Sequence, residues 1–360
     1  MHIDRSSPVS MYVQLADALR SRISQSGMKV GDRLPTVREL IREYQVSLPV
    51  VRQALDLLQR DGELVSEQGK GTFVTRLPAI KAGSGAGAVL FLSIARPSTD
   101  PFFAHVLTGF EHAASVAGRA VLFSQSAGDA AQALAVVRSR PSAGVALSGD
   151  VPSELVAALR SGGVPFVCAG VPRQPTAPTD ISWVANDDFA GAYQAVQHLL
   201  AMGHRRIGCV GGDPSSFFWG QRRRGYLQAL AHAGIAAEPQ LQALAVVDDS
   251  EQGAVAFSAL LSLAKPPTAV FACNDRFARG GYRVARERGL RIPHDLAIVG
   301  FDDLEFAADL DPGLTTIHAE RERLGEMAFQ LLTEAVAGAA PRQVTFPVRL
   351  VTRDSVAPQR

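Results

Sequence analysis

Cysteine is scarce in this chain: its 360 residues include 3, Cys168, Cys209 and Cys273, an odd number without C-x-x-C spacing. Each sits in a short apolar run, so buried, reduced thiols are predicted, and a disulfide framework or cysteine metal cluster is excluded. Long apolar runs are absent too. No stretch approaches the ~18 residues that a membrane span needs. Met1 is followed by Asp4, Arg5, Ser6, Ser7 and Pro8 instead of an apolar leader. A cytoplasmic protein without a membrane partner is expected. Net charge is nearly absent, since 36 Lys plus Arg against 35 Asp plus Glu leave +1. Bulk charge therefore names no partner, although residues 1–76 hold 11 basic and 9 acidic side chains, a local +2. Motifs for hydrolytic and metal chemistry are also lacking. Neither H-E-x-x-H nor G-x-S-x-G occurs, and His198 and His204 have no metal-ligand spacing. No enzyme, metal or cofactor is expected.

What is present is an ordinary globular composition, 47% apolar and 20% charged, with room for two or three domains. The stretch from Ser47 to Gly62, SLPVVRQALDLLQRDG, reads as one helix. Ser47 suits an N-cap, Pro49 falls in the first turn, and Gly62 stands where a left-handed C-terminal cap belongs. Val51, Ala54, Leu55 and Leu58 form a buried stripe, leaving Pro49, Gln53, Asp56 and Arg60 opposite and Arg52 on the flank. Upstream, Thr36 and Glu39 have capping-box spacing, and Val37, Leu40, Ile41 and Tyr44 recur helically. Only Gln45 and Val46 separate the two helices, a helix-turn-helix arrangement. A first helix is marked by Tyr12, Leu15, Ala16, Leu19 and Ile23, and a hairpin by Leu64–Glu67 and Thr72–Thr75 around Gln68-Gly69-Lys70-Gly71. Gly69 and Gly71 permit close backbone approach, and Lys70 can neutralise a phosphate. Gly69-Lys70 is not a phosphate-binding loop, because Gly71 replaces the required Ser or Thr.

Residues 8–76 resemble the winged helix-turn-helix domain of the GntR superfamily of bacterial regulators. The resemblance rests on Gly31-Asp32-Arg33-Leu34-Pro35-Thr36-Val37-Arg38-Glu39-Leu40, Val51-Arg52-Gln53-Ala54-Leu55, Gly62 and Gly69-Lys70-Gly71-Thr72-Phe73-Val74. It implies that Arg38 and Arg52 contact DNA and that the wing tip, Gly69 to Gly71, enters the minor groove. The DNA-binding set is then Arg38, Ser47, Pro49, Arg52, Gln53, Gly69, Lys70 and Gly71. Leu48 and Val50 stand where the family commonly has Arg and Thr, which removes one usual polar contact.

Residues 77–87, LPAIKAGSGAG, read as a linker. Their glycines precede the next strand instead of following one, so a dinucleotide fingerprint is rejected. From Ala88 on, strand-like runs alternate with helical stretches: Ala88–Ile94, Ala120–Phe123, Ala143–Leu147, Val164–Ala169, Ile181–Val184, Ile207–Val210, Thr268–Cys273 and Leu296–Phe301. That alternation predicts parallel sheets covered by helices, in two lobes, with ligands beyond the carboxyl ends of the strands. This part resembles the effector domain of the lactose-repressor (LacI) family, itself similar to periplasmic sugar-binding proteins. The resemblance is carried by Asp100-Pro101-Phe102-Phe103, Gly203-His204-Arg205-Arg206-Ile207-Gly208, Arg222 with Gly225-Tyr226, Asn274-Asp275, Val299-Gly300-Phe301-Asp302-Asp303 and Leu314-Thr315-Thr316-Ile317. It implies two lobes joined by three crossings, with Phe102, Phe103, Ser148, Ser216, Phe218, Arg222 and Asp275 lining the pocket; Asp100 and Asp187, at strand ends, complete the ligand-binding set. Two departures stand out: Asn186-Asp187 reverses the family's usual order, and Asp248 replaces a stacking aromatic, for which Trp219 or Phe217 could substitute.

The expected architecture is multidomain: a winged helix-turn-helix (1–76), a linker (77–87) and an α/β two-lobed periplasmic-binding-protein-like domain with parallel sheets (88–360). Lobe 1 is expected over about 88–187 and 315–338, and lobe 2 over about 188–314 and 342–356. The expected function is ligand-responsive repression of transcription: a homodimer binding double-stranded operator DNA, with a sugar or sugar derivative as effector. A solute-binding receptor is the alternative, and the DNA-binding domain argues against it. A pyridoxal-phosphate chimera of the GntR type would need a Schiff-base lysine, and beyond residue 88 only Lys265, just before Pro266-Pro267, is available.

Overall fold

A computed structural model of the chain describes residues 11–25, 28–60, 62–67, 70–75, 88–95, 100–173, 178–245 and 247–359. Three helices, α1 (Met11–Gln25), α2 (Val37–Tyr44) and α3 (Leu48–Arg60), precede an antiparallel hairpin of β1 (Leu64–Glu67) and β2 (Gly71–Val74). Leu15, Leu19, Leu40, Val51, Leu58 and Val74 meet in one small core, the predicted stripe of α3 among them. The capping box at the start of α2 is formed: Glu39 N–H donates to Thr36 Oγ1 at 3.3 Å, and Thr36 N–H to Glu39 Oε2 at 2.7 Å. Gln45 turns the chain between α2 and α3 in the left-handed region, at φ 52°. Gly62 closes the region after α3 at φ 70°, as its position predicts. Beneath the hairpin, buried Arg20 of α1 pairs through Nε with Glu63 Oε2 at 2.9 Å. Residues 77–87, the expected linker, lie outside the described residues.

The first lobe is built on β3 (Ala88–Ile94), β4 (Ala120–Ser126), β5 (Val145–Gly149), β6 (Phe166–Ala169) and β7 (Trp183–Asn186), with α4 (Pro101–Val116), α5 (Ala130–Ser139) and α6 (Ser153–Ser161) in the connections. β3 is buried at every position after its first, as a strand covered on both faces requires. The chain then enters the second lobe: α7 (Asp188–Ala201), β8 (Ile207–Gly211), α8 (Phe217–His232), β9 (Gln242–Leu244), α9 (Ser250–Leu261), β10 (Ala269–Ala272), α10 (Asp275–Glu287), β11 (Ala297–Val299) and the short α11 (Phe306–Asp309). Its sheet has the order β11-β10-β8-β9, all parallel. The last part comprises β12 (Thr316–His318), α12 (Arg321–Val336), β13 (Gln343–Phe346) and β14 (Arg349–Val351).

This last part corrects two expected boundaries. β12 pairs with β14, and Thr315 and His318 bridge to Val299 and Asp302, so residues 315–318 still belong to the second lobe. β13 lies beside β7 in the first sheet, whose order is β13-β7-β6-β5-β3-β4, so residues 343–346 belong to the first lobe. The crossings therefore fall near 187, 319 and 347. The reason is packing: Leu324, Ala328, Phe329, Leu331 and Leu332 of α12 complete the core over one face of the first sheet. They seat that helix on α4 so closely that a Cβ on Gly109 would lie 2.0 Å from Glu322 O, and one on Gly325 1.9 Å from Val106 O. Only glycine permits that approach. The other domain contacts this lobe directly, through α1 against α5.

Candidate functional site

Residues at the carboxyl ends of strands from both sheets meet in a cleft between the lobes, enclosing a cavity of about 70 Å3. Its first-lobe wall includes Asp100, Phe102, Phe103, Gly149 and Asn186; its second-lobe wall includes Asp188, Phe217, Phe218, Trp219, Arg222, Asp248, Asn274, Arg276, Asp302 and Leu304. Asp100 is placed by its N-cap of α4, Oδ1 accepting from Phe102 N–H at 3.1 Å, with Pro101 in the first turn. Phe102 and Phe103 then project from the first turn of α4, edge to face at 5.2 Å. Trp219 stacks on Phe277 at 5.5 Å and contacts Phe218 at 4.6 Å, so a packed aromatic cluster forms one wall. On its far side Trp219, with Ser216 and Asp248, borders a neighbouring cavity of about 280 Å3.

The second-lobe floor is a buried ion triad. Arg222 Nε donates to Asp188 Oδ1 at 2.8 Å, Nη2 to Asp302 Oδ1 at 3.0 Å and Nη1 to Cys273 O, while the guanidinium lies 3.6 Å from the Phe301 ring centroid. Burial acts to lower the Arg222 pKa, but Asp302 and Asp188 outweigh it and hold the group above its ordinary value. Asp302 is pushed up to about 6, chiefly by burial and against the pull of Arg222. Asp188 is raised for the same reason. Asp302 and Asp303 also have left-handed backbones, φ 104° and 53°, conformations that cost non-glycine residues energy and gather at functional sites. Asp303 is held there by Arg353 Nη2 at 2.7 Å and His318 Nδ1 at 2.9 Å.

A second charge cluster spans the cleft. Arg276 Nη2 reaches Asp100 Oδ2 at 2.7 Å on one lobe and Asp248 Oδ2 at 2.8 Å on the other, and Asp248 also accepts from Asn274 Nδ2. In total the cavity is lined by four carboxylates and two guanidiniums.

The structure thus brings together Asp100, Phe102, Phe103, Phe218 and Arg222 of the predicted ligand set and leaves four others off the cavity wall. Asp275 is fully buried beneath it, accepting from Leu304 N–H at 2.7 Å and Thr316 Oγ1 at 2.6 Å; it ties α10 to a crossing strand, and its neighbours Asn274 and Arg276 reach the cavity. Asp187 caps α7 by accepting from Ala190 N–H at 2.9 Å, and Asp188 faces inward instead. Ser148 is fully buried behind Gly149. Ser216 borders the neighbouring cavity. Sequence reasoning missed Asp188, Arg276 and Asp302 as site residues. Asp302 had a signal, since it stands in the quoted Val299–Asp303 motif; Arg276 had none beyond its place after Asn274-Asp275.

On the first domain, Arg38, Ser47, Pro49, Arg52 and Gln53 are all exposed, with Arg52 and Gln53 on the side of α3 away from its buried stripe. Lys70, exposed at the hairpin tip, pairs with Glu67 at 3.0 Å. Gly69 lies outside the described residues. Gly71, at φ 129°, lets the Arg33 side chain pack where a Cβ would lie, 2.6 Å from Arg33 Nε, so Arg33 joins the basic groups beside the wing. Cys168, Cys209 and Cys273 are buried and free, and burial raises the thiol pKa values of Cys168 and Cys273. No described helix is long and apolar enough to cross a membrane.

Residues 11–74 match the family described as bacterial regulatory proteins, gntR family, and residues 196–356 match the periplasmic binding protein-like domain. The chain is 33% identical over 244 residues to the HTH-type transcriptional repressor CytR of Escherichia coli strain K12, covering 66% of this chain and 70% of CytR. Among solved structures, the transcriptional regulator CelR in complex with cellobiose superposes with a TM-score of 0.70 at 26% identity, over 89% of this chain and 95% of CelR. A LacI family transcriptional regulator from Enterococcus faecium with bound ribose gives a TM-score of 0.66 at 27% identity, over 75% of this chain and 100% of its own.

Proposed function

The chain belongs to the LacI family of HTH-type transcriptional repressors, and from that premise we propose that a GntR-type winged helix is joined here to a LacI-type sensor whose effector is a sugar or sugar derivative. The protein is a ligand-responsive repressor of transcription and not an enzyme. What supports a sugar-like effector is the cleft lining: five aromatic rings, four carboxylates and two guanidiniums around one cavity. Aromatic faces receive the apolar faces of sugar rings, and carboxylates accept from hydroxyls. The excess of negative over positive charge repels phosphorylated and acidic compounds. CelR with cellobiose and the Enterococcus faecium regulator with ribose agree with that chemistry.

The proposal continues to the operator. Arg38, Arg52 and Gln53 read or position on DNA while Ser47, Pro49 and the wing residues Gly69, Lys70 and Gly71 approach its backbone and minor groove. A cytoplasmic homodimer engages two half-sites at once. Effector binding moves the lobes, and the contact of α1 with α5 transmits the movement to the reading heads, releasing the operator. A solute receptor would have no use for the exposed α3 face.

The test is operator binding by the purified protein at fixed salt, on DNA flanking its own coding region, while a panel of neutral and phosphorylated sugars is titrated. Release by a neutral sugar is the expected result. Tight binding released only by anionic compounds would sink the effector assignment, and absence of specific DNA binding would sink the operator reading.

A further inference from the structure

The exposed face of α3 carries Arg52, Gln53, Asp56 and Arg60, but the helix opens on an apolar side chain. Leu48, its first residue, is 40% exposed. Val50, two residues on, is drawn against the small core of the domain, as is Leu57, whereas Leu48 is not among the described apolar side chains that pack there. The helix thus carries a leucine that its own core does not use. Leu48 stands one turn before Arg52, and Pro49 one turn before Gln53, so four exposed residues form one patch at the start of the helix. A lone exposed leucine on an ordinary surface calls for no explanation. At the leading turn of a recognition helix it does, because that turn meets the base edges.

Building on the operator reading above, we propose that Leu48 is a specificity-determining residue of the DNA-binding surface, which recognises the C5-methyl group of a thymine in each operator half-site. Of the four bases, only thymine presents a methyl group in the major groove; the others present hydrogen-bond donors and acceptors alone. A branched aliphatic side chain offers no hydrogen bond, so covering that methyl is the one favourable contact open to it on the groove floor. Set against guanine, cytosine or adenine, the same side chain strips water from polar atoms and returns no partner, which costs free energy. Leu48 therefore favours one base and disfavours the other three. Arg52, one turn on, keeps its donors for hydrogen bonds at the neighbouring positions.

The experiment uses the full-length protein. Its operator is selected from a pool of random duplex DNA, and each thymine of one half-site is then replaced in turn by deoxyuridine, which removes the methyl group and keeps every hydrogen-bonding atom. Affinities are measured at one fixed salt concentration. In the wild type, replacement at one position is expected to weaken binding about fourfold, the worth of one covered methyl group. In Leu48→Ala the same replacement should change nothing. Alanine suits an exposed helical position, so the variant keeps its fold, and its affinity for random-sequence DNA should equal that of the wild type. An equal deoxyuridine loss in wild type and variant assigns the methyl to another residue and overturns the role of Leu48. A matching loss of the variant's affinity for random-sequence DNA makes Leu48 a general contact and overturns the specific one. Wild-type affinity that is the same at every deoxyuridine position overturns thymine recognition and leaves an operator-binding protein. Failure of the selection to enrich any sequence overturns the operator reading on which the proposal rests.

Discussion

At the scale of single residues, the floor of the cleft is an electrostatic unit before it is a binding surface. Arg222 offers a ligand little that Asp188 and Asp302 have not already taken. Replacing it with Ala strands two carboxylates whose side chains are each only 8% exposed. Arg222→Ala is therefore expected to lose about 3–5 kcal/mol of stability, seen as a lower urea midpoint without any effector. An unchanged midpoint would show that the triad contributes nothing to folding. Asp302 supplies a pH signature. Its carboxyl is raised to about 6 in the folded protein, so the fold retains a proton that the unfolded chain has released, and this contribution favours the native state at low pH and is lost as pH rises to about 6. Asp302→Asn lacks that titration. Between pH 4.5 and 7 the stability difference should move in favour of the variant, and parallel pH profiles would contradict the raised carboxyl. Neither arrangement was legible in the sequence. Arg222 was, because a motif marks it, but a motif gives the identity of a site residue and not the partners that exhaust its donors. Asp275 shows the same gap: a carboxylate after a strand could face a ligand or tie the backbone, and one residue of register decides.

At the scale of elements, far more could be read in advance. The helical spacing in α1, α2 and α3 and the apolar runs of β3 to β8 and β10 located those elements to within a few residues, since hydrophobic period is a local property of the chain. The capping box was equally local. What escaped was the membership of β12 and β13, because a strand's choice of sheet depends on partners that are not its neighbours in sequence: β13 pairs with β7, far upstream in the first lobe, and β12 with β14, on the other side of α12. The contact of α4 with α12 is similarly long-range, and it rests on Gly109 and Gly325. Gly325→Ala would force a methyl group into the Val106 carbonyl, so the two helices must part. A loss of about 1–3 kcal/mol is expected, measured by chemical denaturation. A variant as stable as the wild type would mean that the pair can separate without cost.

At the scale of the whole molecule, two units with separate cores divide the work: one small core under α3, the others around the two sheets. Arg52 is exposed on α3 and is not among the residues lining the cleft. Arg52→Ala should weaken operator binding by about 1–3 kcal/mol if it reads a base, or lower the salt slope by about one if it meets a phosphate. Effector affinity, measured in the absence of DNA, should stay at the wild-type value; a parallel fall would show that the two units do not act separately. The return of α12 and β13 to the first sheet also orders events during synthesis on the ribosome. Residues 11–75 contain everything their own core requires, so the DNA-reading head can fold while most of the chain is still unmade. The first lobe, by contrast, waits for a helix and an edge strand from residues 321–346. Each nascent chain thus acquires a surface for DNA well before it can respond to an effector, and sensing is the last capability the protein gains.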